Sequence, residues 1–132
     1  MQPLPVPAIM LASRDPQLIY LIQRFAENCG CQLLKAEGGA NIISVIAQKR
    51  PDVLLLDISQ MNPEGRLIQQ ELKSQPGTRF IPIILCATSE VDWLDCEAEG
   101  RLLQPILFGD FVNAVAETGI QIPKYAKEVE KK

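Results

Sequence analysis

A carboxylate that directly follows a buried strand is the strongest chemical feature of this sequence. Val53 to Leu56 are all apolar, which is typical of a strand buried on both faces, and Asp57 comes next. In a parallel α/β sheet, ligands and reacting groups lie just beyond the carboxyl ends of the strands. Asp57 therefore stands where an acid can be used, and its chemistry depends on the partners that the chain supplies.

The absence of histidine and the spacing of the cysteines exclude several kinds of site. The chain has no histidine, which excludes Ser/His and Cys/His catalytic pairs and every metal site that needs histidine. Cys29 and Cys31 are spaced too closely for a zinc or redox pair, and no second close pair follows. We expect these two, together with Cys86 and Cys96, to be buried, inert thiols of a reducing compartment.

Length and composition indicate a single globular unit. The chain has 132 residues, 47% of them apolar, which is enough for one domain with a core. A net charge of −3 gives no sign of a nucleic-acid surface. The sequence contains neither a run long enough for a membrane span nor a signal peptide, so we expect a cytoplasmic protein that does not bind membranes. We divide the chain into a domain over 1–119 and a polar tail or linker start over 120–132.

Apolar runs and helical periodicities alternate along the chain. After an extended, proline-rich lead-in over 1–7, we predict strands over 8–12, 32–36, 53–57, 81–87 and 102–103. Five helical segments are predicted: from the Asp15-Pro16 cap to Gly30, from the Asn41 cap to the stop at Lys49-Arg50-Pro51, after Gly65 (with Leu67, Ile68 and Leu72 inward) to the stop at Gln75, over a short acidic segment 91–98 anchored by Trp93 and Leu94, and from Phe108 to Ala116.

This alternation predicts a parallel sheet with helices on both faces. The expected strand order is 2-1-3-4-5, the flavodoxin-like arrangement, with its switch point between the first and third strands. Ser13 and Arg14 then face Asp57 across one crevice. Gly38-Gly39 is read as a chain break, Gly65 as a turn that needs a positive φ, and Gln104-Pro105 as either a cis bond at the crevice rim or an ordinary turn.

The same pattern resembles the receiver domain of bacterial two-component response regulators over nearly the whole chain. The most specific segment is Arg50-Pro-Asp-Val-Leu-Leu-Leu-Asp57, with Gly65 at a matching distance beyond the acid. Supporting segments are 71–85, Asp15-Pro16 after the first strand and Gln104-Pro105 after the fifth. The resemblance implies that Asp57 is the candidate phosphoacceptor, which would take a phosphoryl group from the phosphohistidine of a kinase.

The resemblance also implies a set of partners for that acid. Family members hold Mg²⁺ through two acids after the first strand, and a lysine after the fifth strand and a hydroxyl ending the fourth bind the phosphoryl oxygens. An aromatic residue on the fifth strand of family members conveys the change that follows phosphorylation to partner proteins. In this chain these places fall on Ser13 and Arg14, Gln104, Ala87 (with Thr88 beside it) and Arg101 or Leu102. The segment 87–104 is several residues shorter than usual, which shortens the fourth helix.

Asp57 is thus the only part of the chemical set that is retained, in a crevice formed by Ser13, Arg14, Ser59, Ala87, Thr88 and Gln104. Loss of metal and lysine together removes several kcal/mol of transition-state stabilisation. We expect no cofactor and no metal, with Mg²⁺ bound through Asp57 only if that residue is phosphorylated. Arg14 either offsets phosphoryl charge or pairs permanently with Asp57, and we favour the permanent pair.

The leading hypothesis is a non-enzymatic, degenerate receiver that acts by contacts with a signalling protein such as a histidine kinase or an output domain, with homodimerisation open. It would not itself bind nucleic acid. The alternative is an ordinary receiver that is phosphorylated on Asp57. A third hypothesis, a small flavodoxin-like cofactor binder or enzyme, is disfavoured because the chain has no glycine-rich phosphate loop after the first strand.

Overall fold

The computed structural model describes residues 6–36, 41–61 and 63–123. Five parallel strands form one sheet in the order β2-β1-β3-β4-β5, as predicted. None of the helices in these ranges has the length and hydropathy to cross a membrane. The strands are β1 Ala8–Ala12, β2 Gln32–Ala36, β3 Val53–Asp57, β4 Ile83–Ala87 and β5 Gly100–Leu103, and the helices are α1 Pro16–Cys29, α2 Ile42–Lys49, α3 Glu64–Ser74 and α4 Phe108–Glu117.

The core is divided by the sheet into two layers. Alternate residues of β3 point to opposite faces, so that Leu55 packs with α1 and α4 whereas Leu54 and Leu56 pack with α2 and α3. Every residue of β3 and of β4 is buried, because helices cover both faces. The central position of β3 sets its terminal carboxylate between the ends of β1 and β4.

Helix α1 begins and ends as its sequence predicts. Asp15 is the N-cap and accepts a hydrogen bond from the backbone N–H of Gln17 at 3.0 Å, and Pro16 occupies the first helical position. Gly30 ends the helix with a φ of 77°, a left-handed conformation that favours glycine. This start fixes Ser13 and Arg14 in the short turn between β1 and α1.

Two helical predictions need correction. Asn41 precedes α2 as predicted, but its side chain makes no capping hydrogen bond. Leu67 is 63% exposed and does not point inward, because the buried stripe of α3 consists of Gly65, Ile68, Gln69 and Leu72.

The predicted role of Gly65 is also wrong. It lies inside α3, which begins at Glu64, and its backbone has no positive φ. A Cβ at Gly65 would lie 3.4 Å from the Cα of Ile58, so close packing of the helix start on the chain after β3 favours glycine here.

The predicted acidic helix over 91–98 is reduced to one 3₁₀ turn over Glu90–Trp93. Ser89 caps this turn, and Asp95 adopts a positive φ of 64° that prevents its continuation. Trp93 packs against the α2/α3 layer as predicted, whereas Leu94 is 56% exposed and anchors nothing. The helical part of this segment is therefore shorter than we predicted.

Strand boundaries differ slightly from the predicted ones. The strand β4 begins at Ile83, since Pro82 lacks an N–H for the sheet, and β5 begins two residues earlier than predicted. The Gln104-Pro105 bond is cis. Ile122 is 3% exposed in the α1/α4 layer, so packing continues past the predicted domain boundary at residue 119. The lead-in over 1–5, Gly38-Gly39 and the tail from Lys124 lie outside the described residues.

Two leucines of α3 give a matched test of this packing. Leu72 is fully buried and Leu67 is 63% exposed. We expect Leu72→Ala to lower the free energy of unfolding by about 2–5 kcal/mol, because it leaves a cavity under the sheet. Leu67→Ala should change it by less than about 0.5 kcal/mol. Urea denaturation of both variants measures this, and similar losses in the two would contradict the packing described.

Candidate functional site

Asp57 ends β3 and is 1% exposed. It pairs in register with Cys86 of β4, and Leu56 before it pairs with Ala12 of β1. Ser13 follows Ala12, so the end of β1 delivers its side chain to the carboxylate. The topology thus brings Ser13 and Asp57 together at the switch point of the sheet, as predicted.

Both oxygens of the Asp57 carboxylate accept hydrogen bonds. The Ser13 Oγ donates to Oδ2 at 2.6 Å, and the backbone N–H of Gln60 donates to Oδ1 at 3.2 Å. The Ser13 Oγ accepts in turn from the backbone N–H of Asp15 at 3.0 Å. Burial raises the pKa of Asp57 above its ordinary value, the bonds from Ser13 and Gln60 oppose that rise, and the Asp15 carboxylate adds to it.

The predicted pair between Arg14 and Asp57 is wrong. The Arg14 Nη2 lies 3.0 Å from Oε2 of Glu64, the first residue of α3, and the side chains of both are well exposed. Ser13 points inward and takes the contact with Asp57, and Arg14, the next residue, points outward to the helix start. Asp57 is therefore held by a neutral donor instead of a guanidinium.

The remaining crevice residues form a second set of contacts beside Asp57. The Ser59 Oγ accepts from the backbone N–H of Thr88 at 2.9 Å and donates to Oδ2 of Asp92 at 2.5 Å. Ala87 is buried at the end of β4, and its carbonyl accepts from the backbone N–H of Gln104 at 2.8 Å. Thr88 itself is exposed. No hydrogen bond joins Asp57 to these side chains within the described ranges.

A row of polar side chains on α3, which the sequence analysis did not predict, holds the segment 92–99. Arg66 donates to the backbone carbonyls of Leu94 at 3.0 Å and of Asp92 at 2.9 Å. Gln69, which is 4% exposed, donates to the carbonyl of Glu97, and Lys73 pairs with Glu99. Residues 66, 69 and 73 are spaced three and four apart and so share one helix face, a signal that the sequence does contain.

All four cysteines are buried, as predicted, and none of them forms a disulfide. Cys86 lies beside Asp57 in the sheet, and burial, followed by the Asp57 carboxylate, raises the pKa of its thiol far above the ordinary value. Cys31 precedes β2 at the other end of the sheet, and burial and Asp52 raise its pKa too. A protonated, buried thiol is a poor nucleophile and metal ligand.

Comparison with known proteins supplies relatives for this site. Protein PilH of Pseudomonas aeruginosa is 30% identical over 82 residues, which cover 62% of this chain and 68% of that protein. The response regulator PleD of Caulobacter vibrioides is 29% identical over 76 residues, 54% of this chain and 17% of that protein. No protein-family model matches the chain.

The chain belongs to the receiver-domain family of two-component response regulators. A solved receiver domain of a Pseudomonas aeruginosa sensor histidine kinase superposes with a TM-score of 0.77 at 18% identity, covering 88% of this chain and all of that one, and has a magnesium ion in its active-site cleft. The receiver domain is a signalling module of two-component systems. It spans only a small part of PleD, so the activity of whole regulators is not assigned to it.

The crevice of this receiver domain does not fit a resident Mg²⁺. The cation prefers several oxygen ligands, carboxylates above all. Ser13 and Arg14 stand where two acids would be, and Arg14 brings a positive charge. Asp15 caps α1, and the described residues contain no group of three Cys, Asp or Glu side chains that could hold a metal.

Replacing Asp57 by Asn should stabilise the receiver domain at pH 7. Because the folded-state pKa of Asp57 is raised, the folded chain holds its proton more tightly, and stability falls as pH rises from the ordinary carboxyl pKa through the folded-state value. We expect a higher urea midpoint for Asp57→Asn at pH 7 and a difference that disappears in acid. The exposed control Asp110→Asn should stay within about 0.5 kcal/mol throughout. A less stable Asp57→Asn variant at pH 7 would contradict this.

Removing Arg66 should loosen the segment 92–99. Arg66→Ala deletes the donors to the carbonyls of Asp92 and Leu94, and we expect a loss of about 1–2 kcal/mol in unfolding free energy. Amide hydrogen exchange around Asp92 to Cys96 should accelerate selectively. Arg24→Ala, an exposed arginine on α1, is the control. Unchanged exchange in Arg66→Ala would show that α3 does not hold the segment.

Proposed function

We propose that this receiver domain signals without phosphorylation of Asp57, through contacts with another signalling protein. The observation that supports this most directly is the burial of the Asp57 carboxylate, which is 1% exposed. One of its oxygens accepts a hydrogen bond from Ser13 and the other accepts one from Gln60. An incoming phosphoryl group would have to displace the Ser13 hydroxyl and enter a closed contact between β1 and β3.

The charges around Asp57 support the same proposal. A carboxylate and a phosphoryl group repel, and family members offset this with Mg²⁺ and a lysine. Here the lysine position is Gln104, the metal acids are replaced, and Arg14 is paired with Glu64. Without these cations, several kcal/mol of transition-state stabilisation is lost.

Under this proposal the domain is neither an enzyme nor a cofactor protein, and it lies in the cytoplasm. Its partner is a signalling protein, either a histidine kinase or an output domain, and self-association is a further option. The domain itself would contact neither nucleic acid nor membrane. The absence of a glycine-rich phosphate loop after β1 supports the lack of a nucleotide or flavin.

The alternative, phosphorylation of Asp57 by a histidine kinase, is favoured by two observations. Asp57 keeps its place at the end of β3 in register with β4, and the exposed Thr88 stands one residue beyond the place of the family hydroxyl. A shift of one residue in this segment would offer that hydroxyl to the crevice, although the bond from its backbone N–H to Ser59 opposes the shift.

Intact mass after incubation with acetyl phosphate, with and without Mg²⁺, separates the two functions. We expect no gain of mass in the natural chain under either condition, because the crevice lacks the cations that the transfer needs. A Mg²⁺-dependent gain of one phosphate that is absent from Asp57→Asn would overturn the proposal and favour the alternative.

A rebuilt crevice provides the positive control. The variant Ser13→Asp, Arg14→Asp, Ala87→Thr, Gln104→Lys restores the acids, hydroxyl and lysine that the family resemblance implies. We expect this variant to gain one phosphate on Asp57 with Mg²⁺. If the rebuilt chain retains its circular dichroism spectrum yet gains no phosphate, the residues at these four positions do not explain why the natural chain is not phosphorylated.

A further inference from the structure

An open groove of about 630 Å³ lies beside the crevice, between α1 and the end of β2. Its size is within the range of small-molecule sites. Arg14 from the β1–α1 turn and Lys35 from β2 line it, while none of its described lining residues is an aspartate or glutamate. The charged side chains among the described lining residues are thus both cations, in a chain with a net charge of −3.

Three described carboxylates near this groove already have hydrogen-bond or ion-pair partners. Glu64 pairs with Arg14, Asp15 accepts the Gln17 N–H at the start of α1, and Asp57 lies behind the buried Ser13 side chain. A guanidinium carries five N–H donors, so the pair that Arg14 forms with Glu64 through Nη2 does not by itself exhaust its capacity to donate hydrogen bonds. Lys35 is exposed on the edge strand and brings a mobile ammonium to the same space.

The remainder of the groove is suited to an apolar body. Pro16 and Ile19 supply aliphatic surface, and Tyr20, which is 67% exposed, offers an aromatic face. Gln23 adds an amide at the next turn of α1. A flat ligand can lie on Ile19 and Tyr20 while its charge reaches the cations.

We propose that this groove binds a small organic anion, with the anionic group between Arg14 and Lys35 and a flat apolar body on Pro16, Ile19 and Tyr20. Under this proposal Arg14 supplies a positive charge at the end of β1, which favours an anion over a cation in the adjoining groove. The inference goes beyond the proposed function and is independent of it, because Asp57 does not line the groove.

Titration of the ¹⁵N-labelled full chain with phenyl phosphate, followed by NMR, tests the site. We expect saturable shifts centred on the amides of Tyr20, Gln23 and Lys35. Lys35→Met should weaken binding roughly tenfold, since it removes a charge-assisted contact. The matched control Lys49→Met, at the far end of α2, should change affinity by less than about twofold. Shifts that do not saturate, or equal weakening by the two variants, would overturn the site.

Two further probes separate the contribution of the ligand's charge to affinity from that of its apolar body. Inorganic phosphate should bind more weakly than phenyl phosphate, and equal affinity would overturn the role of Pro16, Ile19 and Tyr20. Benzyl alcohol, which is neutral, should bind more weakly as well, and equal affinity would overturn the role of the cations. Asp57→Asn should keep the phenyl phosphate site, so that failure here and failure of the phosphorylation test are distinguishable.

Discussion

The hydrogen bond between Ser13 and Asp57 joins the carboxyl ends of β1 and β3, and the arrangement of the other crevice residues depends on it. A carboxylate that is 1% exposed is costly unless its oxygens have donors, and here a hydroxyl and a backbone N–H supply them. Neither donor carries a charge. The group is therefore kept in place by geometry while its pKa is raised by burial, which is the opposite of the environment that an ionised nucleophile or metal ligand needs.

Helix α3 links this contact to the segment that follows β4. Its first residue, Glu64, holds Arg14, while Arg66, Gln69 and Lys73 hold the chain between Asp92 and Glu99. Because most of these bonds end on backbone carbonyls, they fix the path of that segment whatever its side chains are. A segment whose only helical part is one 3₁₀ turn is thereby positioned from outside, by the polar face of α3.

The fold was predictable because its signals are local and repeated: apolar runs for β3 and β4, and the Asp15-Pro16 cap of α1. The site was predictable only in part. Asp57 and Ser13 follow from strand order, but the direction of Arg14 depends on Glu64, a residue 50 positions away along the chain. The role of Gly65 was predicted wrongly because the close approach of the Ile58 backbone has no sequence signature comparable to that of a turn.

The charge at the end of β1 is the physical basis of the proposal that this receiver domain works without magnesium. Two acids there would add negative charge next to Asp57 and would need a cation to be stable. Here the Ser13 hydroxyl and the Gln60 N–H satisfy the Asp57 carboxylate, and the positive charge of Arg14 lies toward solvent, α3 and the groove beside α1. The neutral Ser13 and the cationic Arg14 therefore support both proposals at once. A crevice that works without a metal and a groove that binds an organic anion would have one physical origin, the charge at the end of β1.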